Sequence, residues 1–227
     1  MLKEYIASIK DKKVSVIGIG VSNQPLIRLL AQNGVQVTAH DKKLREQMGD
    51  LAAELEGMGV RLVLGPDYLS GIDGDIVFRT PGLHPDVPAL REVVARGAEL
   101  TSEMEVFLSL CPATVIAITG SDGKTSTTTV ISELLKAQGY RVFVGGNIGN
   151  PLLDRTDEMG KEDFVVLELS SFQLLTMKQS PHVAVITNLA PTIWMYIRTW
   201  TSMWPPRKTS SSIRRREISW SPTSTTT

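Results

Sequence analysis

Short runs of β-branched and other apolar residues alternate along the chain with stretches in which apolar positions recur at helical spacing. Val14–Ile19 is expected as a buried strand, Pro25–Gln32 as a helix opening on proline, and Val35–Ala39 as a second strand. Leu44–Met58 has helical periodicity. Arg61–Leu64 and Asp75–Phe78 read as further strands, and Val87–Arg96 as a helix ended by Gly97. Beyond Glu99–Leu110 the pattern restarts: strand Thr114–Thr119, long helix Lys124–Gln138 closed by Gly139, then strands at Arg141–Val144, Phe164–Leu169 and Val183–Thr187, the last expected to be central in its sheet. Strands alternating with helices predict an α/β fold with mainly parallel sheets covered on both faces. Two restarts, each opening strand–glycine loop–helix, predict two α/β domains joined near residues 109–113.

Composition changes this picture in one place. The 227 residues carry no net charge and are 42% hydrophobic, ordinary for a globular protein, with no reason to expect nucleic-acid binding. No apolar run has the length of a membrane span, and Met1-Leu2-Lys3-Glu4 does not open a signal peptide. Cys111 is the sole cysteine, which fits a reducing, cytoplasmic setting. Residues 192–227 depart from all this: 15 of these 36 residues are Ser or Thr, all four tryptophans fall here, and Gly and Ala are absent. Setting aside the six basic residues and one acid of this tail leaves 18 basic and 23 acidic residues in 1–191, a net charge of −5. The tail is expected to be aberrant and disordered.

The strongest chemistry lies in the second glycine loop. Val115-Ile116-Ala117-Ile118-Thr119 runs into Gly120-Ser121-Asp122-Gly123-Lys124-Thr125-Ser126, and a helix follows at once. Glycines let backbone N–H groups turn around phosphate oxygens, and the helix N-terminus adds partial positive charge. Lys124 can reach the β- and γ-phosphates of ATP, and a hydroxyl of Thr125 or Ser126 can ligate Mg²⁺. Ile118 stands where the longer P-loop pattern has glycine, so this is a shortened variant. The first loop, Gly18-Ile19-Gly20-Val21-Ser22-Asn23, is Rossmann-like, but Asn23 replaces the third glycine of a dinucleotide fingerprint. Asp41 closes the next strand, where an acid can bind a ribose; NAD is disfavoured. Gly145-Gly146-Asn147-Ile148-Gly149-Asn150 and Glu168-Leu169-Ser170-Ser171-Phe172-Gln173 each follow a strand, and Glu168 is a candidate Mg²⁺ ligand. His182, at a strand start, reads as structural.

The P-loop segment, then Gly146-Asn147-Ile148-Gly149, then Glu168-Leu169-Ser170-Ser171-Phe172-Gln173-Leu174, in this order and spacing, resemble the central domain of the Mur ligases, and the last segment resembles their D-glutamate-adding branch. The resemblance covers residues 1–191. It implies a UDP-sugar-binding domain over 1–109, an incomplete ATP-binding domain over 110–191, and a monomer. It also implies an ATP-dependent reaction joining D-glutamate to UDP-MurNAc-L-Ala through an acyl phosphate. Lys124 is implied at the ATP phosphates, Thr125 and Ser126 at phosphate or Mg²⁺, and Glu168 at Mg²⁺. Asn147, Ser170 and Gln173 are implied near the acyl phosphate and the UDP-sugar. Ser22, Asp41 and Lys42, with Thr80-Pro81-Gly82, are implied at the uridine diphosphate. A kinase reading leaves the first domain unexplained. A remnant that binds nucleotide or UDP-sugar without turnover is the alternative.

The family pattern continues after Pro191 as Asn-His-Leu-Asp-x-His, whereas this chain has Thr192-Ile193-Trp194-Met195. Trp and Met have single codons. TGG-ATG for Trp194-Met195 contains GAT, aspartate, in the neighbouring frame, and Met203-Trp204-Pro205 hides Val-Ala. One base lost after the Pro191 codon is therefore expected. Such a shift would remove a family histidine, the lysine that the family carbamylates and the C-terminal domain, and the chain as written is expected to lack ligase turnover.

Overall fold

The computed structural model describes residues 1–189. The tail expected over 192–227 lies outside them. The first sheet holds five strands, β1 (Lys13–Ile17), β2 (Gln36–Asp41), β3 (Arg61–Leu64), β4 (Ile76–Arg79) and β5 (Glu99–Thr101), all parallel and ordered β3-β2-β1-β4-β5. The second holds β6 (Thr114–Thr119), β7 (Val142–Gly146), β8 (Phe164–Glu168) and β9 (Val183–Ile186), also parallel, ordered β7-β8-β6-β9. In both sheets the inner strands are largely buried because helices cover the faces. Residues Ile76–Arg79 and Val165–Glu168 are buried throughout, two of them charged.

Helices α1 (Leu2–Ser8), α2 (Asn23–Gln32), α3 (Arg45–Met48), α4 (Asp50–Gly57) and α5 (Pro88–Ala95) belong with the first sheet in sequence. α6 (Glu103–Leu110) leads from β5 toward β6, and α7 (Lys124–Ala137) and α8 (Ser171–Leu174) follow β6 and β8. Pro25 falls in the first turn of α2, where its missing N–H costs nothing, but the helix opens two residues earlier, at Asn23. The single helix expected over 44–58 is two: the chain takes φ 55°, ψ −138° at Gly49, which interrupts the helix between α3 and α4. The strand expected to be central, β9, is an edge among the described residues, pairing only with β6, and its Val183 and Ile186 are exposed. Its start is tied differently: the Val115 N–H donates to His182 Nδ1 at 3.0 Å. Among the described residues no helix is long and apolar enough to cross a membrane.

The order of the first sheet reverses at β1, which has β2 on one side and β4 on the other. The loops after β1 and β4 therefore flank a crevice at the carboxyl ends of the strands, the usual place for a ligand in such a sheet.

Where the two sheets meet, a carboxylate is buried. Glu103 opens α6, is 5% exposed, and accepts the Leu153 N–H at 3.3 Å. Burial pushes its carboxyl up to about 7, against the backbone N–H groups of Leu153 and Leu152. Because the folded value lies above the unfolded one, its contribution to stability is fully present below about pH 4.5 and is lost as pH rises through about 7. Glu103→Gln keeps an acceptor for Leu153 but cannot ionise. It should leave stability nearly unchanged at pH 4.5 and raise it by roughly 2–3 kcal/mol at pH 8.5. Urea denaturation at both pH values checks this, and an identical change at both would rule out the buried charge.

Candidate functional site

β6 delivers the chain into Gly120 with φ 141°, a backbone region closed to most L residues, and a Cβ at this position would collide with Thr187 Oγ1. Gly123, left-handed at φ 78°, then starts α7 at Lys124. The loop is braced by the segment after β9. Ser121 N–H donates to the Asn188 carbonyl at 3.0 Å, and Asp122 N–H to Asn188 Oδ1 at 2.8 Å. Thr187 Oγ1 donates to the Asp122 carbonyl at 2.6 Å. Lys124 Nζ folds back to the carbonyls of Gly120 and Ser121, 2.9 Å each.

Register brings the other candidates to the same place. Glu168 ends β8 opposite Ile118 of β6 on one side and Gly146 of β7 on the other. It is 3% exposed, and each carboxylate oxygen has a donor: Thr125 Oγ1 to Oε2 at 2.6 Å, and Asn147 Nδ2 to Oε1 at 2.9 Å. The Asn147 N–H also donates to the Glu168 carbonyl at 2.8 Å. Lys124, Thr125, Asn147 and Glu168 thus share one sheet edge, with Ser126 exposed on the first turn of α7. Ser170 and Gln173 close a capping box at α8: Ser170 N–H donates to Gln173 Oε1 at 2.9 Å, and Gln173 N–H to Ser170 Oγ at 3.3 Å.

The first sheet presents a second loop. The buried Asn23 donates Nδ2 to the carbonyls of Ile17 and Gly18, at 3.2 and 2.8 Å. The residue that spoils the dinucleotide fingerprint is a tie for the turn. Asp41, 8% exposed, spends its carboxylate on the chain itself, accepting Ile19 N–H at 2.7 Å and Lys43 N–H at 2.9 Å. It shapes the loop that a ligand would meet. Lys42 beside it is exposed, as is Gly82, while Ser22, Thr80 and Pro81 are half-buried. The loops after β1 and β4 touch: a Cβ at Gly18 would stand 2.8 Å from Thr80 Cβ.

Residues 118–192 match the sequence profile of the Mur ligase middle domain. The chain is 57% identical over 191 residues to a UDP-N-acetylmuramoylalanine–D-glutamate ligase of Ruminiclostridium cellulolyticum, covering 84% of the chain and 41% of that relative. The chain is thus similar to Mur ligases. A Clostridium botulinum ligase of the same name is 56% identical over 184 residues, 81% of the chain and 40% of the relative. The chain thus spans about two fifths of the length of the curated Mur ligases it matches. Among solved structures, a UDP-N-acetylmuramate–alanine ligase from Thermotoga maritima superposes with a TM-score of 0.50 at 22% identity, covering 85% of the chain and 45% of that structure, a likeness of fold.

Sequence patterning missed Thr187 and Asn188 as parts of this site. Their signal was present as a Thr-Asn pair directly after a strand, but their partners lie more than 60 residues away. Asn188→Ala should leave the Asp122 N–H without its acceptor and loosen the loop, at a cost of roughly 1–2 kcal/mol in stability. Amide hydrogen exchange at Asp122 should accelerate in the variant, and unchanged exchange would count against the brace.

Proposed function

We propose that this chain is the nucleotide-binding front of an ATP-dependent ligase that joins D-glutamate to UDP-MurNAc-L-Ala, working in the cytoplasm as a monomer. The observation that carries the reading is the convergence of Lys124, Thr125, Asn147 and Glu168 at the carboxyl edge of one parallel sheet, behind a glycine loop. The Mur ligase match over residues 118–192 and the longer D-glutamate ligases to which the chain is similar support it. The five-stranded sheet is taken as the UDP-sugar domain, 1–109, and the four-stranded sheet as part of the ATP domain, 110–191. Ser22, Asp41, Lys42 and Thr80–Gly82 stand at the uridine diphosphate, and Ser170 and Gln173 near the sugar.

On this reading ATP lays its phosphates on the N-terminus of α7. Lys124 exchanges its two loop carbonyls for phosphate oxygens, a gain because an ammonium binds a phosphate far more strongly than a neutral carbonyl. The hydroxyl of Thr125, now donated to Glu168, and the Glu168 carboxylate form an all-oxygen donor pair beside the phosphates, which suits Mg²⁺. A Mg²⁺ ion held by these two groups would supply neutralisation of phosphate charge. Asn147 keeps the Glu168 carboxylate turned toward this edge. The substrate carboxylate must arrive in line with the γ-phosphate, so the chain's own part is orientation and charge neutralisation.

Lys124→Ala should weaken Mg·ATP binding at least tenfold. Titration calorimetry on parent and variant measures this, and equal affinities would remove Lys124 from the site. In the same assay the parent should bind UDP in preference to NAD, since Asn23 fills the space where a dinucleotide fingerprint keeps glycine. Preference for NAD would overturn the assignment of the first sheet.

A further inference from the structure

The largest fully buried side chain among the described residues is charged, and no step above uses it. Arg79 ends β4 and is 1% exposed. Its Nη1 donates to the carbonyls of Thr80, Pro81 and Leu83, at 3.1, 3.0 and 2.7 Å, and so pins the loop that carries Thr80–Gly82. Its Nη2 crosses to the other sheet's segment and donates to the Phe172 carbonyl and to Thr176 Oγ1, both at 3.1 Å. Thr176 Oγ1 passes the interaction on, donating to Glu105 Oε2 at 3.1 Å, and Glu105 also accepts from Ser102 Oγ at 3.1 Å. Glu105 and Ser102 lie on and before α6, the helix that leads from one sheet to the other. A buried guanidinium is costly unless its donors and its charge are answered; here Nη1 and Nη2 are answered while the buried Nε has no partner, so the contacts of the two Nη groups hold the relay in place. That arrangement sets the β4 loop against the segment that starts at Glu168 and contains Ser170 and Gln173.

We propose that Arg79 and Thr176 are positioning residues that hold the UDP side and the sugar side of the substrate site at a fixed separation, so that a ligand spanning both binds without first ordering the seam. This rests on the function proposed above. A ligand confined to the first sheet does not feel the latch, whereas one that reaches from the first sheet to Ser170 and Gln173 does.

The probes are UDP and UDP-MurNAc-L-Ala, titrated by calorimetry against the full chain. Thr176→Val cuts the relay without touching the β4 loop. UDP affinity should stay within about twofold of the parent, while UDP-MurNAc-L-Ala affinity should fall about tenfold, the worth of a hydrogen bond to a charged group. Thr176→Ser keeps the hydroxyl and should restore it. Glu105→Gln, which removes the charge at the end of the relay, should shift the pair of affinities in the same direction and carries the test if Thr176→Val does not fold. Equal losses for both ligands, or none for either, would overturn the latch. A parent that binds UDP-MurNAc-L-Ala no tighter than UDP would also overturn it, and a parent that binds neither would instead sink the proposed function itself.

Discussion

A carboxylate with almost no solvent contact, at the end of a buried strand, is the constraint around which the second sheet's site is organised. Glu168 is 3% exposed and sits between β6 and β7. An ionised group in that position is tolerated only if its oxygens are met by donors. Thr125 and Asn147 meet them, and in doing so they fix the start of α7 and the turn after β7 relative to β8. The glycine loop is then held from the opposite side by Thr187 and Asn188. The loop's shape is therefore a consequence of three strands in register, and the glycines alone would not produce it.

The first sheet solves a related problem with the opposite outcome. Asp41, placed where an acid could greet a ribose, turns its carboxylate inward to the Ile19 and Lys43 N–H groups. Asn23 does the same with its amide. Both residues stabilise a tight turn whose exposed rim, with Ser22 and Lys42, is left for a ligand. Arg79 extends this logic across the seam: a buried cation must be answered, and its answering groups come from both sheets.

Much of this was legible in the order of residues. Val115–Thr119 followed by Gly120 and Lys124 reads as strand, loop and helix because apolar period and glycine placement are local properties. The break at residue 192 was legible for the same reason, since composition needs no folding to be seen, and the family match ends at that residue. The interruption at Gly49 was not, because a helical spacing of apolar residues continues through a glycine whether or not the backbone does. The edge position of β9 was also hidden: Val183–Ile186 is apolar enough for a sheet's centre, and strand order depends on crossovers rather than on any one strand's composition.

The sequence by itself determined the fold class, the two glycine loops, the candidacy of Lys124 and Glu168, and the family resemblance, because each of these rests on spacing between neighbours in the chain. Tertiary structure alone decided what those residues touch. Glu168 and Thr125 are 43 positions apart, Asn188 and Asp122 66, and Arg79 and Thr176 97. Hydrophobic periodicity sets which face of an element is buried, but it carries no information about which polar group will lie opposite once the sheets have formed. Desolvation then selects the partners, since a buried donor, acceptor or charge must take whatever the completed topology brings within reach.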